Sequence, residues 1–140
     1  MKLLVDTSIW SMALRRGRGS ASAEAEELRN LIGDHRVQMI GPIRQEILSG
    51  IRSESQFRKL QRYLMSFPDL PILTEDYVTA ARFFNLCRSK GIQGSNTDFL
   101  ICAVAVRNKF YIYTTDRDFA LFSEHVPIAL HAAKSEAGQA

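Results

Sequence analysis

The stretch Leu3-Leu4-Val5-Asp6-Thr7-Ser8 decides the fold class. Its first three residues are apolar without alternation, which predicts a short strand buried on both faces and ended by the acid. Thr7-Ser8 then supplies hydroxyls that can cap a helix carrying Ile9 and Trp10. A buried strand that leads directly into a helix is the first unit of an α/β fold.

The rest of the chain continues this alternation. Further strands are predicted at 37–40, 110–113 and 128–130. A short apolar segment at 72–73 precedes the strand at 110–113, which is counted as the fourth strand. Helices are predicted at 20–32, from Gly41-Pro42 onward, at 53–66, from Thr74 as the capping residue, at 97–108 and at 119–123. This order predicts a parallel sheet covered by helices on both faces.

Length and composition fit one globular domain. The chain has 140 residues, of which 46% are hydrophobic and 24% charged, and this excludes a disordered chain or a disulfide scaffold. The longest apolar run, residues 99–106, is too short to span a bilayer, and Asp6 interrupts any signal sequence. We therefore expect a cytoplasmic protein without membrane association, in which Cys87 and Cys102 are reduced core residues.

The positive charges are mainly arginines. The net charge is only +3, but 13 of the 18 basic residues are Arg, and Arg15, Arg16 and Arg18 form a cluster in a glycine-containing loop. The guanidinium group suits phosphate oxygens, so these three residues are candidates for contacts to the backbone of a polyanionic partner. An arginine-rich genome explains the same composition equally well, and the sequence leaves both explanations open.

Acidic residues recur where the predicted strands end. Asp6 follows the first strand, Asp116 follows the strand at 110–113, and Asp118 comes two residues later. Asp98 lies in the first turn of the helix at 97–108, and Glu46 lies one turn into the helix that Pro42 opens. Because ligands bind beyond the carboxyl ends of parallel strands, we expect Asp6, Glu46 and Asp116 to converge there, joined by Asp98 if its loop returns to that edge.

Each acid also has a purely structural explanation. Asp6 could cap the following helix, Asp98 and Asp116 could complement helix dipoles, and Glu46 could be a solvated edge residue. Asp118 could form a capping box with Thr115. Clustered carboxylates repel one another, however, and a divalent cation removes that repulsion. Oxygen ligands without nearby His or Cys favour Mg²⁺ or Mn²⁺.

The ordered set resembles the PIN-domain ribonucleases, and in particular the VapC toxins of VapBC toxin–antitoxin pairs. The resemblance rests on the opening stretch through Asp6-Thr-Ser, the Glu46 helix, Asn96-Thr97-Asp98 and Thr115-Asp116-Arg-Asp118-Phe119. It implies a three-layer α/β/α PIN-like domain at residues 1–131, with a disordered C-terminal tail at 132–140.

The resemblance also implies an activity, a Mg²⁺- or Mn²⁺-dependent endoribonuclease acting on tRNA or rRNA. Its catalytic residues would be Asp6, Glu46, Asp98 and Asp116, and its metal ligands Asp6, Asp98, Asp116 and Asp118. Thr7, Ser8 and Thr115 would orient carboxylates or water. The implied partners are the RNA substrate, a cognate VapB-type antitoxin and a second copy of the chain in a homodimer.

Three other functions are compatible with parts of this pattern. A PIN-fold module that binds RNA or a partner without turnover would be favoured only if acids were missing. A phospho-accepting receiver domain needs adjacent acids after the first strand, where this chain has Asp6-Thr7. A haloacid-dehalogenase-type phosphatase needs a second aspartate at the position of Ser8.

Overall fold

The computed structural model describes residues 1–14 and 22–132. Its strands are β1 (Leu3–Val5), β2 (Val37–Gln38), β3 (Tyr111–Tyr113) and β4 (Ala129–Leu130). Its helices are α1 (Thr7–Leu14), α2 (Ala23–Gly33), α3 (Gly41–Leu48), α4 (Glu54–Leu64), α5 (Thr74–Ser89), α6 (Asn96–Asn108) and α7 (Asp118–Phe122). The predicted tail at 132–140 lies outside the described residues from 133 onward.

The described strands form one parallel sheet in the order β2-β1-β3-β4. Leu3, Leu4 and Val5 are fully buried, because β1 is a central strand. The helices make this sheet the middle of three layers, which confirms the predicted α/β/α architecture.

The predicted number of strands is wrong at one point. Residues 72–73 form no strand, so the strand that ends at Tyr113 is the third in the described chain and not the fourth. In this part of the described chain, an isolated parallel bridge between Met39 and Asp69 takes the place of a further strand. Pro71 has no amide hydrogen to donate to a strand ladder, and Leu73 is already the cap of the next helix, which leaves this segment little backbone with which to pair.

The start of α5 also differs from the prediction. Thr74 is the first helical residue and not the cap, which is Leu73. The Asp76 carboxylate accepts the Leu73 amide at 2.8 Å and also holds Arg107 of α6 in a bidentate pair at 2.7 and 2.9 Å. No side chain of the described residues accepts a capping hydrogen bond at Leu73, but the Asp76 carboxylate satisfies the amide of this cap residue and also ties α5 to α6.

The remaining predicted boundaries agree with the structure or differ from it by at most three residues, and one or two residues is the usual uncertainty at helix termini. Cys87 and Cys102 are free and buried, as predicted. Among the described residues, no helix has the length and apolar character needed to cross a membrane.

Candidate active site

The sheet topology creates a crevice beside β1. From β1 the chain passes to β2 on one side and later to β3 on the other. In a parallel sheet such a reversal opens a crevice beyond the carboxyl ends of the two central strands. Asp6 follows β1 directly, and residues 114–116 follow β3, so both segments enter this crevice.

Asp6 is held by hydroxyl groups. The residue is only 7% exposed, and its Oδ2 accepts hydrogen bonds from Ser8 Oγ at 2.9 Å and Thr114 Oγ1 at 2.8 Å. Among the described residues, no backbone amide of α1 donates to this carboxylate. The carbonyl of Asp6 accepts the amides of Ile9 and Trp10, but its side chain does not cap α1, and its Oδ1 has no described donor.

Thr114 links Asp6 to the segment that follows β3 and carries Asp116. Its hydroxyl donates to Asp6 and accepts the amide of Asp116 at 2.9 Å. The amide of Thr115 donates to Ser8 Oγ at 3.2 Å. The β3 end is therefore fastened to the β1 end by hydroxyl-centred hydrogen bonds that fix Asp116 beside Asp6.

Glu46 joins the crevice from α3. Its Oε1 accepts a hydrogen bond from Thr7 Oγ1 at 2.7 Å, across 39 positions of sequence. Glu46 is otherwise exposed. An exposed carboxylate positioned by one hydroxyl keeps its second oxygen toward solvent, where a cation or a water molecule can reach it.

Asp98 completes the group from the start of α6. Its amide donates to Ser95 Oγ at 3.0 Å, and its Oδ2 accepts the Ser95 amide at 3.2 Å, so the two residues form a capping box. Burial raises the pKa of the Asp98 carboxyl, and the negative charges of Asp6 and Asp116 add to the rise, although the Ser95 hydrogen bonds oppose it. Carboxylates from three segments are thus close enough to repel one another.

Asp118 differs from these acids. It begins α7, and its amide donates to Asp116 Oδ1 at 2.9 Å. Its exposed carboxylate has no described hydrogen bond or ion pair, and the alternative capping box with Thr115 is absent because Arg117 is the cap.

The structure thus brings Asp6, Glu46, Asp98 and Asp116 to one crevice, with Thr7 and Ser8 bonded to two of them. The side chain of Thr115 makes no described hydrogen bond. Thr114, which holds Asp6, and Ser95, which holds Asp98, were not predicted from the sequence. The position of Thr114, directly after the predicted strand at 110–113, could have indicated its role. Arg15, Arg16 and Arg18 lie outside the described residues.

The donor set suits a hard divalent cation. Within residues 1–14 and 22–132, no three His, Cys, Asp or Glu side chains form a ready-made metal-binding group. Mg²⁺, however, is commonly bound through one or two carboxylates and keeps several waters. Carboxylates that repel one another and are anchored through one oxygen fit that mode, and the residues are chemically suited to Mg²⁺ or Mn²⁺.

Comparison with known proteins agrees with this geometry. The sequence profile of the PIN domain matches residues 3–124. Ribonuclease VapC11 of Mycobacterium tuberculosis and VapC ribonuclease Mb1587 of Mycobacterium bovis are each 33% identical over 121 residues, covering 84% of this chain and 88% of each relative. The chain belongs to the VapC family of PIN-domain proteins.

Solved structures show that this VapC-family chain has the fold of its family. VapBC2 from Rickettsia felis, bound to a promoter DNA fragment, superposes with a TM-score of 0.73 at 16% identity, and FitAcB from Neisseria gonorrhoeae with 0.71 at 15%. Each match covers 94% of this chain and 98% of the other. The PIN fold excludes the receiver-domain and phosphatase alternatives.

Proposed function

We propose that this protein is a Mg²⁺- or Mn²⁺-dependent endoribonuclease and the toxin component of a type II toxin–antitoxin system. The observation that carries the proposal is the convergence of Asp6, Glu46, Asp98 and Asp116 on one crevice. The ribonuclease names of the relatives that are 33% identical support the same activity.

The described hydrogen bonds use only one oxygen of each of three carboxylates. In Asp6 and Asp98 the described bonds all end on Oδ2, and in Asp116 the described bond ends on Oδ1. The second oxygen of each carboxylate is thus available to a cation, with Asp118 as a further ligand beside them. When bound, the cation would neutralise charge on the phosphate and make water a better nucleophile near neutral pH.

The protein's own residues set the geometry of this reaction. Thr114 and Ser8 fix the orientation of Asp6, and Thr7 holds Glu46 at the mouth of the crevice. Glu46 is the most exposed of the converging acids and can accept a proton from an attacking water. Arg15, Arg16 and Arg18 would hold the RNA backbone by charge, so binding should weaken as salt is raised.

The biological setting follows from the family. We propose that tRNA or rRNA is the target, that a cognate VapB-type antitoxin silences the protein, and that it acts as a homodimer in the cytoplasm. The solved structures of similar fold include VapBC2 from Rickettsia felis and VapBC-1 from nontypeable Haemophilus influenzae, which supports an antitoxin partner.

Cleavage of total cellular RNA by the purified, antitoxin-free protein tests the proposal. The reaction is run with Mg²⁺, with Mn²⁺ and with EDTA, for the wild type, Asp6→Asn and a matched Asp34→Asn control. Asp34 is an exposed residue at the end of α2, away from the crevice. Discrete fragments that need metal, persist in Asp34→Asn and vanish in Asp6→Asn are expected.

Two outcomes would overturn the proposal. Equal cleavage by Asp6→Asn and wild type would refute the acidic site. No cleavage by folded wild type in any metal would favour a PIN-fold module that binds RNA or a partner without turnover. The melting temperature without metal checks folding, and Asp6→Asn should not lower it, because it removes one repelling charge.

A further inference from the structure

A cavity lies beside the acidic crevice, between the end of α5 and the loop that leads into α6. Its volume is about 170 Å³. It is lined by Phe84, Arg88, Ile92, Gln93, Gly94 and Phe99. None of these residues takes part in the hydrogen bonds that hold the acids.

The cavity and the carboxylates share a wall. Gly94 is bonded to Ser95, whose amide lies 3.2 Å from Asp98 Oδ2. A peptide C–N bond of about 1.33 Å then places the Gly94 carbonyl carbon within about 5 Å of that carboxylate. Phe99, another wall residue, directly follows Asp98 in α6. The lining of the cavity therefore approaches within about 5 Å of one carboxylate of the proposed site, a separation that one nucleotide can span.

Gly94 makes this arrangement possible. A Cβ at this position would lie 2.5 Å from the ring of Phe122 and 2.9 Å from the ring of Phe99. The loop backbone therefore packs directly on two aromatic rings, one from α6 and one from α7, which starts two residues after Asp116. The loop at Gly94, which lines the cavity, is thus packed against α6, which carries Asp98, and against α7, which follows Asp116.

The lining has the chemistry of a nucleobase site. Phe84 is half-buried and presents an aromatic ring, and the Arg88 guanidinium lies 6.0 Å from its centroid. Arg88 forms no ion pair with any described residue. Gln93 is exposed and offers an amide donor and an acceptor. Aromatic and guanidinium planes stack on bases, whereas an apolar side chain in the cavity would desolvate both polar groups without replacing their hydrogen bonds.

We propose that this cavity binds one base of the RNA substrate, unstacked from its neighbours, on a nucleotide next to the scissile phosphate. The inference rests on the proposed ribonuclease function and makes Phe84, Arg88 and Gln93 determinants of sequence preference. Base stacking on an aromatic side chain contributes enough that its loss weakens binding roughly 5- to 150-fold.

The test combines changes in the RNA with changes in the cavity. The substrate is the RNA fragment whose cleavage site is mapped with the wild type, carrying an abasic nucleotide at each position in turn. Cleavage is measured as kcat/KM for wild type, Phe84→Leu, Arg88→Gln and the control Arg82→Gln. Arg82 is exposed on the same helix, six residues before Arg88 and thus on a different side.

One abasic position should reduce wild-type kcat/KM about tenfold, and the same reduction should occur in Arg82→Gln. In Phe84→Leu and Arg88→Gln the penalty at that position should shrink at least about twofold, because the contact is already lost. Arg88 is on the surface, so its variant tests the inference even if Phe84→Leu is unstable.

The failures are distinguishable. Wild-type cleavage with identical abasic profiles in every variant would overturn the base site and leave the ribonuclease intact. Equal losses at all positions in Arg88→Gln would mean a phosphate contact and would also overturn it. No RNA cleavage by wild type would remove the proposed function and this inference together.

Discussion

Removing the Arg107 side chain should destabilise the protein strongly and in a pH-dependent way. Arg107 donates to both carboxylate oxygens of Asp76 and to the Pro71 carbonyl at 3.2 Å. The Asp76 side chain is 2% exposed and that of Arg107 is 29% exposed. In Arg107→Met the carboxylate would remain buried with only the Leu73 amide as a described donor.

The magnitude follows from this geometry. Breaking one partner of a buried ion pair costs about 3–5 kcal/mol, and the partial exposure of Arg107 favours the lower end, about 3 kcal/mol at pH 7. For a chain of this size that corresponds to a fall in melting temperature of roughly 10 °C. The control is Arg58→Met, since Arg58 pairs with Glu54 on the surface at 67% and 71% exposure. An exposed helix pair of this kind contributes only about 0.3–0.5 kcal/mol.

The sign of the pH dependence distinguishes this pair from ordinary packing. Burial alone would raise the pKa of Asp76, but the hydrogen bonds from Arg107 and Leu73 and the Arg107 charge lower it below its usual 3.8. In the wild type this stability is present above the unfolded pKa and is lost as pH falls through the lowered folded pKa. In Arg107→Met burial should raise the folded pKa, so the variant's deficit should be full at pH 7 and shrink toward pH 4.

Urea denaturation followed by fluorescence measures both quantities. Trp10 is the chain's single tryptophan and is fully buried, so unfolding changes its emission. The midpoint should shift while the m-value stays constant. A deficit in Arg107→Met that does not change between pH 7 and pH 4, or one no larger than that of Arg58→Met, would refute the reasoning.

Other predictions concern single contacts. Gly94→Ala should cost about 1–3 kcal/mol in urea denaturation, because its Cβ meets Phe122 at 2.5 Å, and a loss near zero would show that the ring can move aside. Thr114→Val should lower the kcat of RNA cleavage roughly 10- to 100-fold by freeing Asp6, with recovery in Thr114→Ser, whereas wild-type activity in the valine variant would count against a positioning role. Burial and the charge of Asp98 raise the pKa of the Cys102 thiol, so this thiol should react with a thiol reagent near pH 8 only in denaturant, and rapid labelling of the native protein would contradict this.

The positions of Asp6 and Asp116 at the sheet edge were predictable because the end of a strand can be recognised from neighbouring residues. An apolar run that stops at Asp6, and another followed by Asp116, place both residues at one sheet edge once the strands are taken as parallel. The strand count was not predictable in the same way. A strand of two or three residues has too little pattern to distinguish residues 72–73 from a true strand such as Val37–Gln38.

The hydrogen bonds and ion pairs that hold the acids and the helices could not be predicted, because they join residues that are far apart in the sequence. Nothing in the sequence near residue 114 shows that its hydroxyl, and not that of Thr115, turns toward Asp6. Thr114 and Thr115 both follow the end of β3 at Tyr113, and which of the two hydroxyls reaches Asp6 depends on the tertiary path of the chain there. The Asp76–Arg107 pair likewise depends on how α5 packs against α6, because the two residues are 31 positions apart in the sequence.

The pairing of β1 with β3 also sets when the site can exist during synthesis. Asp6 and its partner Thr114 are 108 positions apart, so a ribosome adding about 5–20 residues per second needs roughly 5–20 s to make the second after the first. Until β3 is made, β1 lacks its neighbour on one side and Asp116 is absent. A nascent or prematurely terminated chain therefore has no complete acidic site. For a nuclease that would cut RNA in the cell that translates it, the topology itself delays activity until translation has passed residue 116.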